Sequence, residues 1–509
     1  MSEEKSEKGI KQLTEQIETI AKGASITFFG DFAGKGLAYL SQVVVARLLG
    51  VQLFGYYALG LTIYKFSSLM AQLGLNNGVL RFVPKLKNGT DDSAARGVVR
   101  SGLIISSLVG SLLAIGIYFG ASWISNSIFK EPNLTGVLRS FSVGIPFFAL
   151  MMIALYSTRS EKRMEYFVYV KNFQLQFSFL AFFLVSYLLG FRLYGATWSW
   201  VIATVAACLS SIFFLKNVFP KIIENYRPRK IRELLKFSLP LVLVGVLQFL
   251  ILWTDTFMLG ALSSAETVGL YRAAVQTALL LGMVLRAFNS IFAPIISDLY
   301  SKKRQETLDL LFKTITRWVF VLTAPLFAII IVAGDSVLEI FGPAFPVVWL
   351  PLILLGLSQM LDASMGPVGY ILIMSGNQKI EFYNVLFVAL LNIALNFIMI
   401  PKLGTLGAAL ATGTSVICVN LIRLVAVTLR LKLWPYDRKF LKGIGAFAVS
   451  LSFGLLWRYF SPDWNYMLKI VSSSGIVLIT YFGSIFLLGL EETDTMILNA
   501  TKRLIQKSD

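Results

Sequence analysis

The feature of this sequence that most constrains its fold is a succession of apolar windows, each about as long as a lipid bilayer is thick. A helix rises about 1.5 Å per residue, so roughly 20 apolar residues cross a hydrocarbon core of about 30 Å. Such windows occur at 25–48, 54–80, 98–120, 137–158, 166–190, 193–215, 237–261, 268–297, 314–334, 347–374, 382–400, 404–429, 443–460 and 470–490. They predict an all-α polytopic membrane protein with about 14 transmembrane helices. The short breaks GFRLYG and PKLG predict two tight helical hairpins.

The composition agrees with a membrane protein. Hydrophobic residues make up 56% of the 509 residues and charged residues 15%, against about 25% charged residues in soluble domains. A soluble chain of this kind would need a very large apolar core with almost no polar faces to cover it. The sequence has no histidine, and its two cysteines, Cys208 and Cys418, both lie in apolar windows. We therefore expect no metal site, no cofactor, no histidine-based catalysis and no disulfide framework.

The positions of lysine and arginine predict the orientation, because positive residues are retained on the cytoplasmic side. With a cytoplasmic N-terminus, 30 of these residues fall on the cytoplasmic side and five on the opposite side. Those five are Lys130, Arg192, Lys402, Arg458 and Lys469. The asymmetry accounts for most of the net charge of +18 without a nucleic-acid partner. We predict a multi-pass protein of the cytoplasmic membrane with both termini in the cytoplasm.

An internal repeat divides the chain. LLGVQLFGYY at 48–57 resembles MLGALSSAETVGLY at 258–271. Further matches at offsets of 210 to 212 residues are Pro84 with Pro294, IF at 128–129 with IF at 340–341, Asn172 with Asn384, and YGAT at 194–197 with LGAA at 406–409. Six windows separate the repeats, so both halves enter the membrane in the same direction and substrate is expected between them. A chance alignment of two apolar halves is the alternative.

The repeat predicts two parallel six-helix lobes around a central cavity, followed by an extra helix pair. The predicted organisation is an amphipathic cytoplasmic or interfacial segment at 1–23, an N-lobe at 24–216, a basic cytoplasmic linker at 217–236, a C-lobe at 237–432, the extra pair at 433–490 and a cytoplasmic tail at 491–509.

Several stretches resemble a known family. ARLLGVQLFGYYAL, followed by LGLNNGVLRFVPKL, is similar to the first two segments of the oligosaccharide flippases, or polysaccharide transporters, of the multidrug/oligosaccharidyl-lipid/polysaccharide exporter superfamily. The resemblance extends to LKFSLPLVLVGVLQFLILWTDTFMLG, VGLYRAA and IPKLGTLGAALAT, and spans roughly residues 20–430. It implies two lobes, alternating access and movement of lipid-linked sugars across the cytoplasmic membrane. In this family the extra helix pair would form a lipid-facing groove for a polyprenyl tail.

The stretch GDFAGKGLAYL places Asp31 and Lys35 inside an apolar window. A charge at the bilayer centre costs about 3 kcal/mol, so it should face a partner or water. The helical rise places both Lys35 and Lys65 near the membrane midplane. Asp31 lies one turn before Lys35, so Asp31 and Lys35 can form an ion pair. We expect the three residues to bind a substrate phosphate in the central cavity; a structural ion pair is the alternative. The glycines at 30, 34 and 36 permit either bending or close packing.

Other charges fall nearer the membrane surfaces. Arg47 and Arg272 are predicted to line an outer vestibule, and Arg286 an inner one. Arg286, Arg317 and Arg423 lie where their long side chains can reach the cytoplasmic surface. Asp255 and Asp362 are candidates for ion coupling, because an uncompensated carboxylate in a membrane is costly. An ion pair between Asp255 and Arg272 is the alternative for the first of them.

Two transport functions and one enzymatic function compete. The first is a flippase for oligosaccharide linked to polyprenyl phosphate or pyrophosphate, which needs cations at the midplane and serves cell-surface polysaccharide or glycan assembly. The second is an exporter of the multidrug and toxic compound extrusion type, coupled to protons or sodium, for which we expect a cavity dominated by carboxylates. A membrane enzyme is disfavoured, because the longest external loop has about 16 residues, 121–136. The expected partners are lipid-linked oligosaccharide, membrane lipids and glycosyltransferases or a polymerase of the same pathway, with the protein itself a monomer.

Overall fold

The computed structural model describes residues 29–88, 92–220, 231–462 and 464–489. Within these ranges the chain is helical and contains no β-strand. The helices of the first half are α1 at 29–49, α2 at Val51–Gln72, α3 at Leu75–Asn88, α4 at Asp92–Trp123, α5 at Leu134–Ser160, α6 at Met164–Phe167, α7 at Leu175–Leu188 and α8 at Arg192–Val218. The others are α9 at Ile231–Leu262, α10 at Ala265–Ser301, α11 at Gln305–Glu339, α12 at Trp349–Met365, α13 at Val368–Met374, α14 at Gln378–Leu431, α15 at Phe440–Phe460 and α16 at Tyr466–Leu487.

Eleven helical stretches in the described residues are long and apolar enough to cross a membrane. The kinked helix α14 counts once among them, and α1 and α2 are not included. The prediction of an all-α polytopic membrane protein is confirmed, whereas the number of spans and the arrangement of lobes stay predictions. The predicted segments at 1–23 and 491–509, and residues 221–230 of the predicted linker, lie outside the described residues.

Helix α14 is a hairpin of two antiparallel arms, as the PKLG break predicts. Gly404 has φ +55° and ψ −126°, a backbone conformation open to glycine. Asn392 donates a hydrogen bond of 3.3 Å to Thr412, although these residues would lie about 30 Å apart in a straight helix. A Cβ on Gly407 would lie 2.3 Å from the carbonyl oxygen of Met399. The chain therefore reverses within a few residues, and the two arms pack closely.

Two windows that we predict as single helices are interrupted in the structure. The window 54–80 is split between α2 and α3 at Leu73 and Gly74, which have φ +46° and +68°. A Cβ on Gly74 would lie 2.3 Å from the carbonyl oxygen of Ser238, so the break lets α3 approach the backbone of α9. The window 347–374 is likewise split between α12 and α13 at Gly366, directly before a proline. Hydropathy averaged over 20 residues conceals such breaks.

The described chain forms two compact units. The first contains the described residues up to Gln276 together with Val385–Thr412. Its α5 packs against α2, α3, α4 and α8, and α9 packs against α2 and α3. Tyr57 and Tyr64 of α2 pack against Phe141 of α5, with ring centroids 5.7 and 5.6 Å apart. These buried rings form part of the core of the first unit.

The second unit contains Thr277–Asn384 and the described residues from Gly413 onward. Its α11 packs against α12, α15 and α16, and α15 packs against α16. Phe320 of α11 and Phe440 of α15 have ring centroids 4.7 Å apart. The C-terminal helix pair is therefore part of the second unit and packs against its α11.

Candidate substrate site in the first unit

Helix α1 lies directly against the segment that joins α6 to α7, a π-helical stretch at Val168–Gln174. A Cβ on Gly30 would lie 2.1 Å from Val168 Cγ1, and a Cβ on Gly34 would lie 2.5 Å from Asn172 Cβ. From the first contact to the second, the chain advances by one turn in each helix. The two helices therefore run side by side in the same direction. The glycines at 30 and 34 thus permit close packing. A Cβ on Gly36 would have nothing within 4 Å, so this glycine does not contribute to the contact.

This contact determines the surroundings of Asp31. Asn172 Nδ2 donates a hydrogen bond of 2.6 Å to Asp31 Oδ1. Lys35 follows one turn later on α1, with an exposed side chain. The proposed ion pair between Asp31 and Lys35 stays a prediction, and Asn172 is a partner that helical spacing could not reveal.

Lys65 and Arg272 meet at one aromatic ring. Lys65 Nζ lies 4.5 Å from the centroid of Trp253, and Arg272 Cζ lies 4.2 Å from it. The three residues come from α2, α9 and α10 and belong to the first unit. Arg272, predicted in a separate outer vestibule, is buried and stands beside Lys65. An indole holds a cation through its negative face, with about 0.5–2 kcal/mol.

A second ring with two cations is not predicted by the sequence. Lys171 Nζ lies 4.7 Å from the centroid of Phe167, and Arg159 Cζ lies 5.1 Å from it. Lys171 is within electrostatic range of Asp31 and Lys35 as well. The available signal is a single lysine inside the apolar window 166–190.

Asp255 lies in a buried polar cluster of the first unit. Its carboxylate accepts hydrogen bonds from Tyr271 at 2.8 Å, from Asn396 at 2.7 Å and from Thr412. Asn396 also donates to Asn392 at 3.0 Å. Both arms of α14 thus supply groups that hold Asp255, while the guanidinium of Arg272 lies against Trp253. Among the described residues, the buried Oδ1 of Asn396 has no hydrogen-bond partner.

Asp362 lies in the second unit, on α12. It accepts a hydrogen bond of 2.8 Å from Asn420, and the charges of Arg423 and Arg286 act on it. Arg423 forms an ion pair with Glu381 through three hydrogen bonds. The prediction that Arg423 reaches the cytoplasmic surface stays a prediction, and its guanidinium is paired with a carboxylate of the same unit.

The two remaining site candidates have exposed side chains. Arg47 lies on α1, near its end. Arg286 lies on α10 and donates a hydrogen bond of 2.8 Å to the carbonyl oxygen of Leu279. Their roles in an outer and an inner vestibule stay predictions.

Comparison with known proteins agrees with this architecture. The model of the polysaccharide biosynthesis protein family matches residues 20–300, and the MatE family model matches 240–398. The uncharacterized membrane protein EpsK of Bacillus subtilis is 24% identical over 403 residues, which cover 74% of this chain and 77% of EpsK. The probable low-salt glycan biosynthesis flippase Agl15 of Haloferax volcanii is 25% identical over 185 residues, 36% of this chain and 39% of Agl15.

Solved structures share the fold. The lipid II flippase MurJ, in an inward closed conformation, superposes with a TM-score of 0.70 at 18% identity and covers 91% of this chain and 98% of its own. An inward-facing multidrug resistance MATE transporter superposes with a TM-score of 0.67 at 15% identity, over 78% and 94%. The resemblance seen in the sequence is confirmed: this chain belongs to the polysaccharide biosynthesis protein family and is a multi-pass membrane transporter of the multidrug/oligosaccharidyl-lipid/polysaccharide exporter superfamily.

Proposed function

We propose that this protein flips an oligosaccharide linked to polyprenyl phosphate or pyrophosphate across the cytoplasmic membrane by alternating access, for assembly of a cell-surface polysaccharide or glycan. The observation that carries the proposal is the pair Lys65 and Arg272, held on the ring of Trp253. Two like charges within reach of one indole repel each other, and the low dielectric of the membrane strengthens that repulsion. An anion that enters between them would relieve it.

Phosphate fits these two cations. Lysine is a compact point charge, and arginine can bind two phosphate oxygens at once through its planar fork. The indole competes with the anion less strongly than a carboxylate would, so a phosphate can displace it and later be released. The names of two relatives agree with such a substrate: MurJ is a lipid II flippase, and Agl15 is a probable flippase of glycan biosynthesis.

A drug exporter of the MATE type is the second candidate. It is favoured by the match of the MatE family model and by the buried carboxylate of Asp255. A cationic drug would meet Lys65 and Arg272 as repelling charges, whereas a lipid-linked phosphate would be attracted.

The test is reconstitution into proteoliposomes with a fluorescent lipid-linked oligosaccharide, scored by the fraction that an impermeant quencher can reach. We expect the wild-type protein to move the label between leaflets, and we expect Lys65→Gln/Arg272→Gln to lose most of this movement. Arg81→Gln is the matched control, because Arg81 also lies on an aromatic ring, 4.2 Å from the centroid of Phe237. Wild-type protein that exports a cationic dye and leaves the lipid in place would support the exporter instead.

We propose that ion coupling uses Asp255 and Asp362. The oxygen-rich cluster around Asp255 offers a proton or a small hard cation a carboxylate and the buried Oδ1 of Asn396. We expect Asp255→Asn, which preserves shape, to abolish stimulation of transport by an imposed proton or sodium gradient, and Asp362→Asn to reduce it. Transport is measured in proteoliposomes with each gradient imposed separately. If both variants keep full transport under every gradient, the coupling role is wrong.

A further inference from the structure

Two aromatic rings of the first unit each hold two cations. Trp253 holds Lys65 and Arg272, and the buried Phe167 holds Lys171 and Arg159 at 4.7 and 5.1 Å. The two carboxylates nearest to Arg159 in sequence are engaged elsewhere: Glu161 pairs with Lys87 at 2.7 Å and Glu165 with Arg163 at 3.3 Å. The ring of Phe167 therefore brings together two cations, as Trp253 does, and Asp31 lies within electrostatic range of one of them, Lys171.

The two pairs lie at different levels of the unit. Glu131, just before α5, accepts hydrogen bonds from Tyr56 at 2.8 Å and from the backbone of Ala265 at 3.1 Å. The N-terminal parts of α2, α5 and α10 thus share one end of the unit. Arg159 is the last residue but one of α5, so it lies at the opposite end.

Helical rise gives the spacing between the levels. Lys171 lies seven residues after the start of α6, about 10 Å from the end where Arg159 lies. Arg272 lies seven residues into α10, about 10 Å from the other end. Lys65 and Lys171 are within electrostatic range of each other. The four cations therefore form a series along the unit in the order Arg159, Lys171, Lys65 and Arg272.

Contact with α1 fixes the position of Lys171 in this series. Asn172, the next residue, bonds Asp31 and packs on Gly34. The wide π-helical turn changes the direction of the side chains that follow it relative to an α-helix, and such turns are frequent at functional sites. Lys171 thus lies beside a close contact between two helices.

We propose that Arg159 and Lys171, held by Phe167, form a second anion site, which receives the phosphate of a lipid-linked substrate before Lys65 and Arg272 take it over. This inference rests on the proposed function and adds a defined step to it. Weak binding of the two cations by an aromatic ring suits a site that passes a phosphate on. A cation paired with a carboxylate would exchange that carboxylate for the phosphate less readily in a dry interior. Under the predicted topology, Arg159 and Lys171 lie on the cytoplasmic side, where the substrate enters.

The test combines direct binding with transport. Inorganic pyrophosphate is titrated into purified protein in phosphatidylcholine nanodiscs, by calorimetry. We expect two binding sites in the wild type, and one site each in Arg159→Gln/Lys171→Gln and in Lys65→Gln/Arg272→Gln. A wild-type protein with one site that Arg159→Gln/Lys171→Gln leaves unchanged would overturn the proposal. Because binding is scored without transport, two sites in a protein that moves no lipid-linked sugar would refute the flippase function and leave the second anion site standing.

Transport then separates entry from translocation. We expect Arg159→Gln/Lys171→Gln to raise the substrate concentration for half-maximal flipping roughly tenfold and to keep most of the maximal rate, whereas Lys65→Gln/Arg272→Gln lowers the maximal rate. Phe167→Leu keeps the charges of Arg159 and Lys171. We therefore expect two pyrophosphate sites, with an altered affinity at the site formed by these two residues. Folding is checked by thermal unfolding, with Arg81→Gln as the control.

A membrane phospholipid could carry the same phosphate chemistry. Nanodiscs with phosphatidylglycerol are therefore compared with those of phosphatidylcholine. Pyrophosphate that binds the second site in both lipids supports a substrate site. Loss of that site in phosphatidylglycerol would identify a structural lipid headgroup as its occupant and overturn the proposal.

Discussion

Replacing Lys35 and Lys65 together by glutamine is expected to leave the protein folded and inserted and to remove most of its transport of lipid-linked oligosaccharide. Both lysines belong to the first unit, and Lys65 shares the ring of Trp253 with Arg272. Glutamine keeps the polarity and most of the length of lysine but cannot neutralise a phosphate in a low dielectric. Transport is measured by quencher accessibility, with folding checked by monodispersity in detergent.

Two further variants test the same interpretation: one keeps the positive charges, and the other removes the negative charge of Asp31. We expect the corresponding Lys→Arg double variant to retain part of the transport, because the charge remains while the compact ammonium is replaced by a planar fork. Asp31→Asn is expected to slow release of substrate more than its binding, since Asp31 lies within electrostatic range of Lys171 and competes for nearby cations. Near-normal flipping by a well-folded Lys35→Gln/Lys65→Gln protein would show that the phosphate is held elsewhere.

Substitution of Gly55 by leucine is expected to prevent accumulation of folded protein. A Cβ on Gly55 would lie 1.7 Å from the carbonyl oxygen of Ala265, and a Cβ on Gly269 would lie 2.2 Å from that of Val51. Backbone meets backbone here, so no side-chain movement can make room, and the cost should exceed the roughly 1–3 kcal/mol typical of overpacked cores. Yield of monodisperse protein and the midpoint of thermal unfolding are measured.

The control for Gly55→Leu is Gly36→Leu. Gly36 is also a helical glycine of the first unit, but nothing lies within 4 Å of its Cβ position. We expect this protein to accumulate as the wild type does, because the new side chain enters open space. Equal yields of the two variants would contradict the close crossing of α2 and α10.

The same crossing bears on the internal repeat. Gly55 in LFGYY and Gly269 in TVGLY each lie two residues before the last tyrosine of the two similar stretches. Each has the backbone nitrogen of the other within about 3 Å of its Cβ position, at 3.2 and 3.1 Å. A two-fold axis between repeats would bring matched positions together in this way. The internal repeat and the boundaries of the two lobes stay predictions.

The sequence predicts those features of this protein that repeat over many residues. Windows of apolar residues reveal the helices, and the glycine of PKLG reveals the reversal within α14. Trp253 is concealed because hydropathy counts an indole as apolar, and Lys171 because one lysine scarcely changes the average of a window. The partners of Asp255 are beyond prediction from spacing, since Asn396 is 141 residues away along the chain. Tertiary packing of α14 against α9 brings them together.

The reversal at Gly404 also determines how each arm of α14 is rotated about its own axis relative to the other arm. Asn392 and Asn396 approach Asp255 from one arm and Thr412 from the other, so their convergence depends on the number of residues between the arms. One added residue turns the second arm by roughly 100° about its axis, because a helix has 3.6 residues per turn. Thr412 would then point away from the carboxylate while every helix remained in place. The number of residues in this exposed turn therefore determines which side chains of α14 reach the buried carboxylate of Asp255.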